Sequence, residues 1–165
     1  MNRRTATAVP PAVLAVAAFG VQLALARGAR PSAGSLVAGA PVAVTAGWLL
    51  GDALVQFRRA RTTVDPVAPT RATALVLTGA NQVSRNPMYL GMAGALLAHA
   101  VARRSPGAVA PVAAFVAVLS VGQIAAEEQA LTERFGGAYA RYRSQVPRWV
   151  DARSVRVVGA ALIGR

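Results

Sequence analysis

Side chains able to do chemistry are few in this sequence, and those that stand out fall at two places. The first is Arg85-Asn86-Pro87, with Tyr89 two residues further on. Asn-Pro reads as a helix start, with Asn at the cap and Pro in the first turn, where no amide donor is needed. Such a start leaves free amides and a partial positive charge that favour a carboxylate or phosphate. Arg85 adds a guanidinium fork for the same kind of group, and Tyr89 an aromatic face for a cation. The second place is the acidic pair Glu127-Glu128. Neighbouring residues on a helix point about 100° apart, so one of the two is expected to face a partner helix, where it would suit an ammonium. Asp52 is a lone acid in an apolar run, either a functional group or the ion-pair partner of Arg58 or Arg59. His99, the single histidine, reads as a packing or interfacial residue.

Composition removes other chemistries. With no cysteine there is no disulfide, thiolate nucleophile or zinc ribbon. One histidine and six carboxylates provide no multi-ligand metal site, so none is expected. The net charge of +12 comes entirely from arginines that flank apolar stretches. They form no stripe with interleaved aromatics, so no nucleic-acid partner is expected.

The elements that must carry these residues are set by where charge is missing. Thr5–Ala26, Pro31–Gly51, Asn86–Ala102 and Ser105–Ala126 hold no Asp, Glu, Lys or Arg over 22, 21, 17 and 22 residues. A bilayer core of ~30 Å needs about 20 apolar residues. The expected fold is therefore all-α, a polytopic membrane bundle of about four transmembrane helices with a helical hairpin and a short cytosolic C-terminal helix. As a single membrane domain it divides into two N-terminal spans (1–57), a cytosolic loop (58–84), the hairpin (85–128) and a cytosolic tail (129–165). With the N-terminus inside, fourteen arginines fall on the cytoplasmic side and four outside. That asymmetry predicts a multi-pass inner-membrane protein with both termini cytoplasmic. The first window also has the outline of a signal peptide, but 22 uncharged residues exceed the usual ~7–15, and a retained anchor is expected. Gly47 and Gly51, four apart, are expected to permit close helix approach in the second span.

The hairpin brings the two chemical places together. Arg103-Arg104 and Ser105-Pro106 close one helix and open the next, so the third and fourth spans must run antiparallel. From Ala102 back to Arg85 is about 26 Å of helix, and from Pro106 forward to Glu127 about 31 Å. Both lengths match the bilayer core, so Arg85, Asn86, Tyr89, Glu127 and Glu128 gather at its inner face. A carboxylate site beside an ammonium site suits a zwitterionic, nucleotide-like ligand such as S-adenosylmethionine; an ordinary Arg–Glu network anchoring a hairpin is the alternative. Beyond Glu128, Leu131, Phe135, Tyr139 and Tyr142 have helical spacing, and Val146-Pro147-Arg148-Trp149 supplies a stop. Trp149 reads as part of an interfacial aromatic belt or of a lid. Ala72–Thr78 is apolar but too short to span, and is expected against the bilayer or under the helices.

The string Gly79-Ala80-Asn81-Gln82-Val83-Ser84-Arg85-Asn86-Pro87-Met88-Tyr89-Leu90-Gly91 resembles the cofactor motif of small integral-membrane methyltransferases. In the isoprenylcysteine carboxyl methyltransferase group it commonly reads Arg-His-Pro-x-Tyr-x-Gly; phospholipid methyltransferases often have Asn-Pro-Met-Tyr, as here. Glu127-Glu128 with Leu131 resembles the second motif, and Phe135-Gly136, Tyr139, Tyr142 and Pro147-Arg148-Trp149 are similar to the usual tail. Phe57 to Pro66, with Arg61-Thr62-Thr63, looks like the family's entry segment. The chain departs from the pattern at Ala80-Asn81, at Asn86 in place of His, and at Ala126 in place of a frequent Arg.

The resemblance implies S-adenosylmethionine as cofactor, held by Gly79, Arg85, Asn86, Pro87, Tyr89, Leu90, Gly91, Glu127 and Glu128. Arg85 and Glu128 would act as the catalytic, positioning pair, and Gly91 would let the cofactor approach the backbone. The bilayer and a lipophilic or lipid-borne methyl acceptor are the implied partners. A scaffold that keeps the fold without activity, and an NADPH-dependent membrane reductase, are the alternatives.

Overall fold

The described part of each charge-free window is largely helical; α1 and α3 open with proline in the first turn, and α2 with a side-chain cap. The computed structural model describes residues 9–60 and 74–163. Helix α1 runs Pro11–Leu25, with proline in its first turn. Helix α2, Ala33–Arg59, begins at a capping box in which the Ser32 hydroxyl accepts the Ser35 amide at 3.2 Å and the Ser35 hydroxyl accepts the Ser32 amide at 2.9 Å. It continues through Pro41, whose carbonyl accepts the Thr45 hydroxyl at 2.8 Å. A 3-10 turn at Gly79–Gln82 leads to α3, Pro87–Ala102. A second 3-10 turn at Pro106–Ala108 enters α4, Val109–Val121, followed by α5, Gln123–Gln145, and α6, Ala152–Ile163. Among the described residues there is no strand.

The expected single rod from Pro106 to Glu127 is corrected at both ends. It opens as a 3-10 turn, and at Gly122 (φ −99°, ψ −88°) the backbone leaves helical geometry and separates α4 from α5. Gly136 (φ 48°, ψ −120°) breaks the regular path of α5 a second time.

Antiparallel packing follows from the contacts at each end. Arg103 donates to the Ala26 carbonyl at 2.9 Å and Ser35 to the Ala102 carbonyl at 2.8 Å, so the end of α1, the start of α2 and the end of α3 meet. Helices α2 and α3 form the most extensive pair, and α1 lies on α3 and α4. Small residues make the α2–α3 approach possible. A Cβ on Gly91 would lie 2.7 Å from Leu50 Cγ and 2.9 Å from the Ala46 carbonyl, and one on Gly39 would lie 3.1 Å from the Ala98 carbonyl. Gly47 and Gly51, expected to serve this purpose, have nothing within 4 Å. They lie on α2, but Gly39 and Ala46 are the small positions in phase with α3.

Tyr89, Ala93, Leu96, Val112, Phe115, Leu119 and Ile124 build the core between α3, α4 and the start of α5. A second cluster, Tyr139, Tyr142 and Val146, takes in Leu75, Leu131 and Phe135. Leu75 therefore packs under the helices; Ala72, Arg61-Thr62-Thr63 and Pro66 lie outside the described residues. The outer faces are as apolar as the core: Val16 is 71% exposed and Val37 and Val44 each 73%. An aqueous protein does not present such faces. Two helical stretches, Ala33–Arg59 and Pro106–Gln145, are long and apolar enough to cross a membrane, and α1 and α3 are shorter apolar helices.

Inside this apolar bundle the polar side chain of Gln22 is fully buried. Gln22 of α1 donates to the Leu96 carbonyl at 3.0 Å and the Ala108 carbonyl at 2.7 Å. Its Oε1 lies 3.1 Å from His99 Nδ1, and the His99 ring stands edge-on to Phe19 at 4.9 Å. His99 is thus a packing residue, at the end of α3 opposite Arg85. Three hydrogen bonds stitch α1 into the α3–α4 turn.

Candidate functional site

The segment before α3 is held in place from three sides. At its far end Gly79 takes φ +61°, which suits glycine, and a Cβ there would collide with the Asp52 carboxylate. The turn it opens is tied to α2: Asp52 Oδ2 accepts the Ala80 amide at 2.6 Å, and Oδ1 accepts the Gln56 side-chain amide at 3.2 Å. Thr78 completes the link by donating to Gln56 Oε1 at 3.0 Å. Asp52 therefore pairs with a backbone amide, not with Arg58 or Arg59. Tyr142 donates to the Asn81 carbonyl at 2.7 Å, and Ser154 to the Val83 carbonyl at 2.6 Å.

The near end is clasped by the tail. The Arg85 amide donates to the Pro147 carbonyl at 2.9 Å. Ser84 Oγ donates to the Arg148 carbonyl at 2.9 Å and accepts the Asn86 amide at 3.0 Å. Asn86 stands at the cap position, yet its side chain makes no cap bond; its amide nitrogen donates to the Arg148 carbonyl at 3.0 Å. This corrects the expected cap. The consequence is chemical: the first-turn amides of α3 are not satisfied by the Asn86 side chain.

Both glutamates are used, where only one was expected to face the hairpin partner. Glu128, nearly buried, accepts Arg85 Nη2 at 2.9 Å. From the other side Arg148 closes on it with Nε at 3.1 Å from Oε1 and with Nη2 on Oε2. That pairing holds the Arg148 guanidinium above its ordinary pKa, chiefly through the hydrogen bond to Glu128. Glu127 Oε1 accepts the Tyr89 hydroxyl at 2.6 Å and the Gln123 amide at 2.8 Å. Glu127 forms no ion pair among the described residues. The two acids turn to different partners because Arg85 precedes α3 and Arg148 comes from the tail, while Tyr89 lies within α3.

Arg85 carries the most telling detail. Its side chain is 10% exposed, and both Nε and Nη1 are buried without a hydrogen-bond partner among the described residues. Leaving such donors unpaired costs about 1–3 kcal/mol each. Two orphaned guanidinium donors beside a helix start without a side-chain cap make a donor set fitted to a carboxylate. Glu127, without a cation, is the complementary acceptor for an ammonium.

The remaining expected residues divide. Pro87 is buried as the first residue of α3, and Leu90 closes its first turn by donating its amide to the Asn86 carbonyl at 2.9 Å. Gly91 faces Leu50 and Ala46 of α2, so its missing side chain serves helix packing. Arg148, Ser84 and Gln123 were not anticipated in the site. The Pro147-Arg148-Trp149 string was the available signal for the first of these. Trp149 joins the core cluster and donates to Ser120 Oγ at 3.0 Å, and Arg148 Nη1 reaches the Ser120 carbonyl at 3.3 Å. The tail is bolted to α4 instead of hanging free as a lid.

A family model described as phospholipid methyltransferase matches residues 35–138. That span contains nearly all of α2, the Gly79–Gln82 turn, Arg85, α3, α4 and both glutamates; Arg148 lies beyond it. No curated protein and no solved structure matches the chain.

Proposed function

The chain belongs to the phospholipid methyltransferase family, and we propose that it is an S-adenosylmethionine-dependent integral-membrane methyltransferase acting on a small lipophilic or lipid-borne acceptor. The observation that carries the cofactor reading is Arg85, whose buried Nε and Nη1 have no partner among the described residues. In this reading they hold the α-carboxylate, assisted by the first amides of α3. Glu127 takes the α-ammonium, with Tyr89 and Gln123 fixing its orientation. Glu128 does not bind the ligand; it holds the Arg85 guanidinium in register, itself held by Arg148. Gly79, Asn86, Pro87 and Leu90 shape the wall without offering a side-chain group to the ligand.

S-adenosylmethionine supplies an electrophilic methyl on a sulfonium centre. The protein contributes alignment and exclusion of water, the two effects that favour in-line displacement. All four apolar helices span the bilayer in this reading, the shorter α1 and α3 included, as one domain. Arginine placement puts the Arg85 end of the bundle, and both termini, on the cytoplasmic side of the inner membrane. The cofactor then enters from the cytosol and the acceptor laterally from the lipid.

The test is equilibrium binding of methyl-labelled S-adenosylmethionine to purified protein, followed by transfer of label to membrane lipids. Binding by the wild type, weakened at least about tenfold in Arg85→Met and Glu127→Gln, is the expected result; tenfold corresponds to 1.4 kcal/mol. A wild type that binds no S-adenosylmethionine leaves a scaffold with the family's fold, and protection by NADPH alone would make the protein a reductase.

A further inference from the structure

Helix α6 lies outside the site and does no work in the proposed reaction, yet it is the most amphipathic helix of the described chain. Its start is firmly placed. The Ser154 hydroxyl, 2% exposed with its residue, donates to the Val83 carbonyl at 2.6 Å and accepts the Asp151 amide at 3.3 Å. Arg153 binds the Asp151 carboxylate through Nε and Nη2, at 3.0 and 2.7 Å from Oδ2. Its Nη1 caps α5 by donating to the Ser144 carbonyl at 3.0 Å. The neighbouring guanidinium holds the Asp151 carboxyl below its ordinary pKa. These bonds fix the direction in which α6 leaves the bundle.

With one side of its start docked on residue 83, α6 turns other residues outward. Val155 is 66% exposed and Val150, just before the helix, 54%. Exposed arginines stand on the elements of this end: Arg156 on α6 itself, Arg141 and Arg143 near the end of α5, and Arg58 and Arg59 at the end of α2. None of the five has an ion-pair partner among the described residues. Three of the acids at this end are committed elsewhere: Asp52 to Ala80, Glu128 to Arg85 and Arg148, and Asp151 to Arg153. Apolar residues next to unpaired arginines, at one end of a bundle whose own flanks are apolar, match a helix lying in a lipid interface.

We propose that α6 is an in-plane anchor that rests on an anionic phospholipid surface, Val150 and Val155 at the acyl boundary and the arginines among the headgroup phosphates. Charge complementarity selects the occupant. Each arginine near an anionic surface adds attraction that falls off within a Debye length, whereas a zwitterionic leaflet offers no such gain. The proposal rests on the membrane placement above but not on the cofactor or the reaction.

The chain has no cysteine, so Val155→Cys introduces a single thiol for a nitroxide label on the full-length protein. The labelled protein is reconstituted in vesicles of phosphatidylcholine alone, and of equal parts phosphatidylcholine and phosphatidylglycerol. Collisions with oxygen are then compared with collisions with a water-soluble nickel complex. In the anionic vesicles the label is expected to prefer oxygen; in the neutral ones it prefers nickel. Arg143→Gln/Arg156→Gln, or high salt, should return the anionic pattern to the neutral one while circular dichroism stays unchanged. Nickel access in both vesicles, or equal burial in both, overturns the proposal. So does burial that persists in lipid-free detergent, which would assign this face to a second copy of the chain. Methyl-transfer failure leaves the label experiment untouched, so the two readings fall separately.

Discussion

Tyr89 on α3 donates its hydroxyl to Oε1 of Glu127 on α5 at 2.6 Å, across 38 positions of sequence. This bond joins α5 to α3 next to the bend at Gly122, where Arg85 meets the neighbouring Glu128. With Glu127 turned to Tyr89, Glu128 is left to close on Arg85 and Arg148. The adjacent acids thus take different partners, a tyrosine hydroxyl for one and two guanidinium groups for the other.

Tyr89→Phe tests that division. Losing a hydrogen bond to a charged acceptor costs about 1.5–3 kcal/mol, so a lower melting temperature is expected, with S-adenosylmethionine affinity reduced about tenfold. Glu127→Gln should reduce affinity at least as much with a smaller change in melting temperature, because its amide oxygen still accepts from Tyr89. Unchanged affinity in both variants, measured by calorimetry, would restrict Glu127 to a packing role.

Gly91 separates packing from cofactor approach. A Cβ there meets Leu50 Cγ at 2.7 Å and the Ala46 carbonyl at 2.9 Å, and the second contact is with backbone that cannot swing aside. Gly91→Ala is expected to lose about 1–3 kcal/mol of stability by overpacking, with cofactor affinity of the folded fraction retained. A variant of normal melting temperature that no longer binds would return Gly91 to the ligand wall.

Gln22 ties α1 to the rest through bonds to Leu96, Ala108 and His99. Gln22→Leu keeps the volume and removes all three. Interhelical hydrogen bonds in membranes average ~0.6 kcal/mol each, so a loss of about 2 kcal/mol is expected, read as a lower unfolding temperature and faster proteolysis between α1 and α2. Cofactor affinity should not change, since Arg85 is at the opposite end of α3. A Gln22→Leu protein as stable as the wild type would show that α1 is held by lipid contact alone.

The helices were legible where the information is local. Four uncharged windows, Asn86-Pro87 and the double arginine before Ser105-Pro106 set the helices and the antiparallel turn, because hydropathy and the preference of proline for a first helical turn act within a few residues. Counting helix rise from that turn was enough to bring Arg85 to the level of the glutamates. The bend at Gly122 escaped, since glycine in an apolar run is compatible with both a straight and a broken helix.

What rise per residue cannot supply is phase and long-range closure. The sequence by itself determined an all-helical apolar bundle and the depth at which Arg85, Tyr89, Glu127 and Glu128 meet. Only the tertiary structure decided that Gly91 and Gly39 rather than Gly47 and Gly51 carry the α2–α3 contact, because that depends on how two cylinders are rotated against each other. The same holds for Asn86, whose amide serves the Arg148 carbonyl, and for Asp52, which holds the Ala80 amide. Their partners lie 62 and 28 positions away and are reached only once the tail and the loop have folded back over the start of α3.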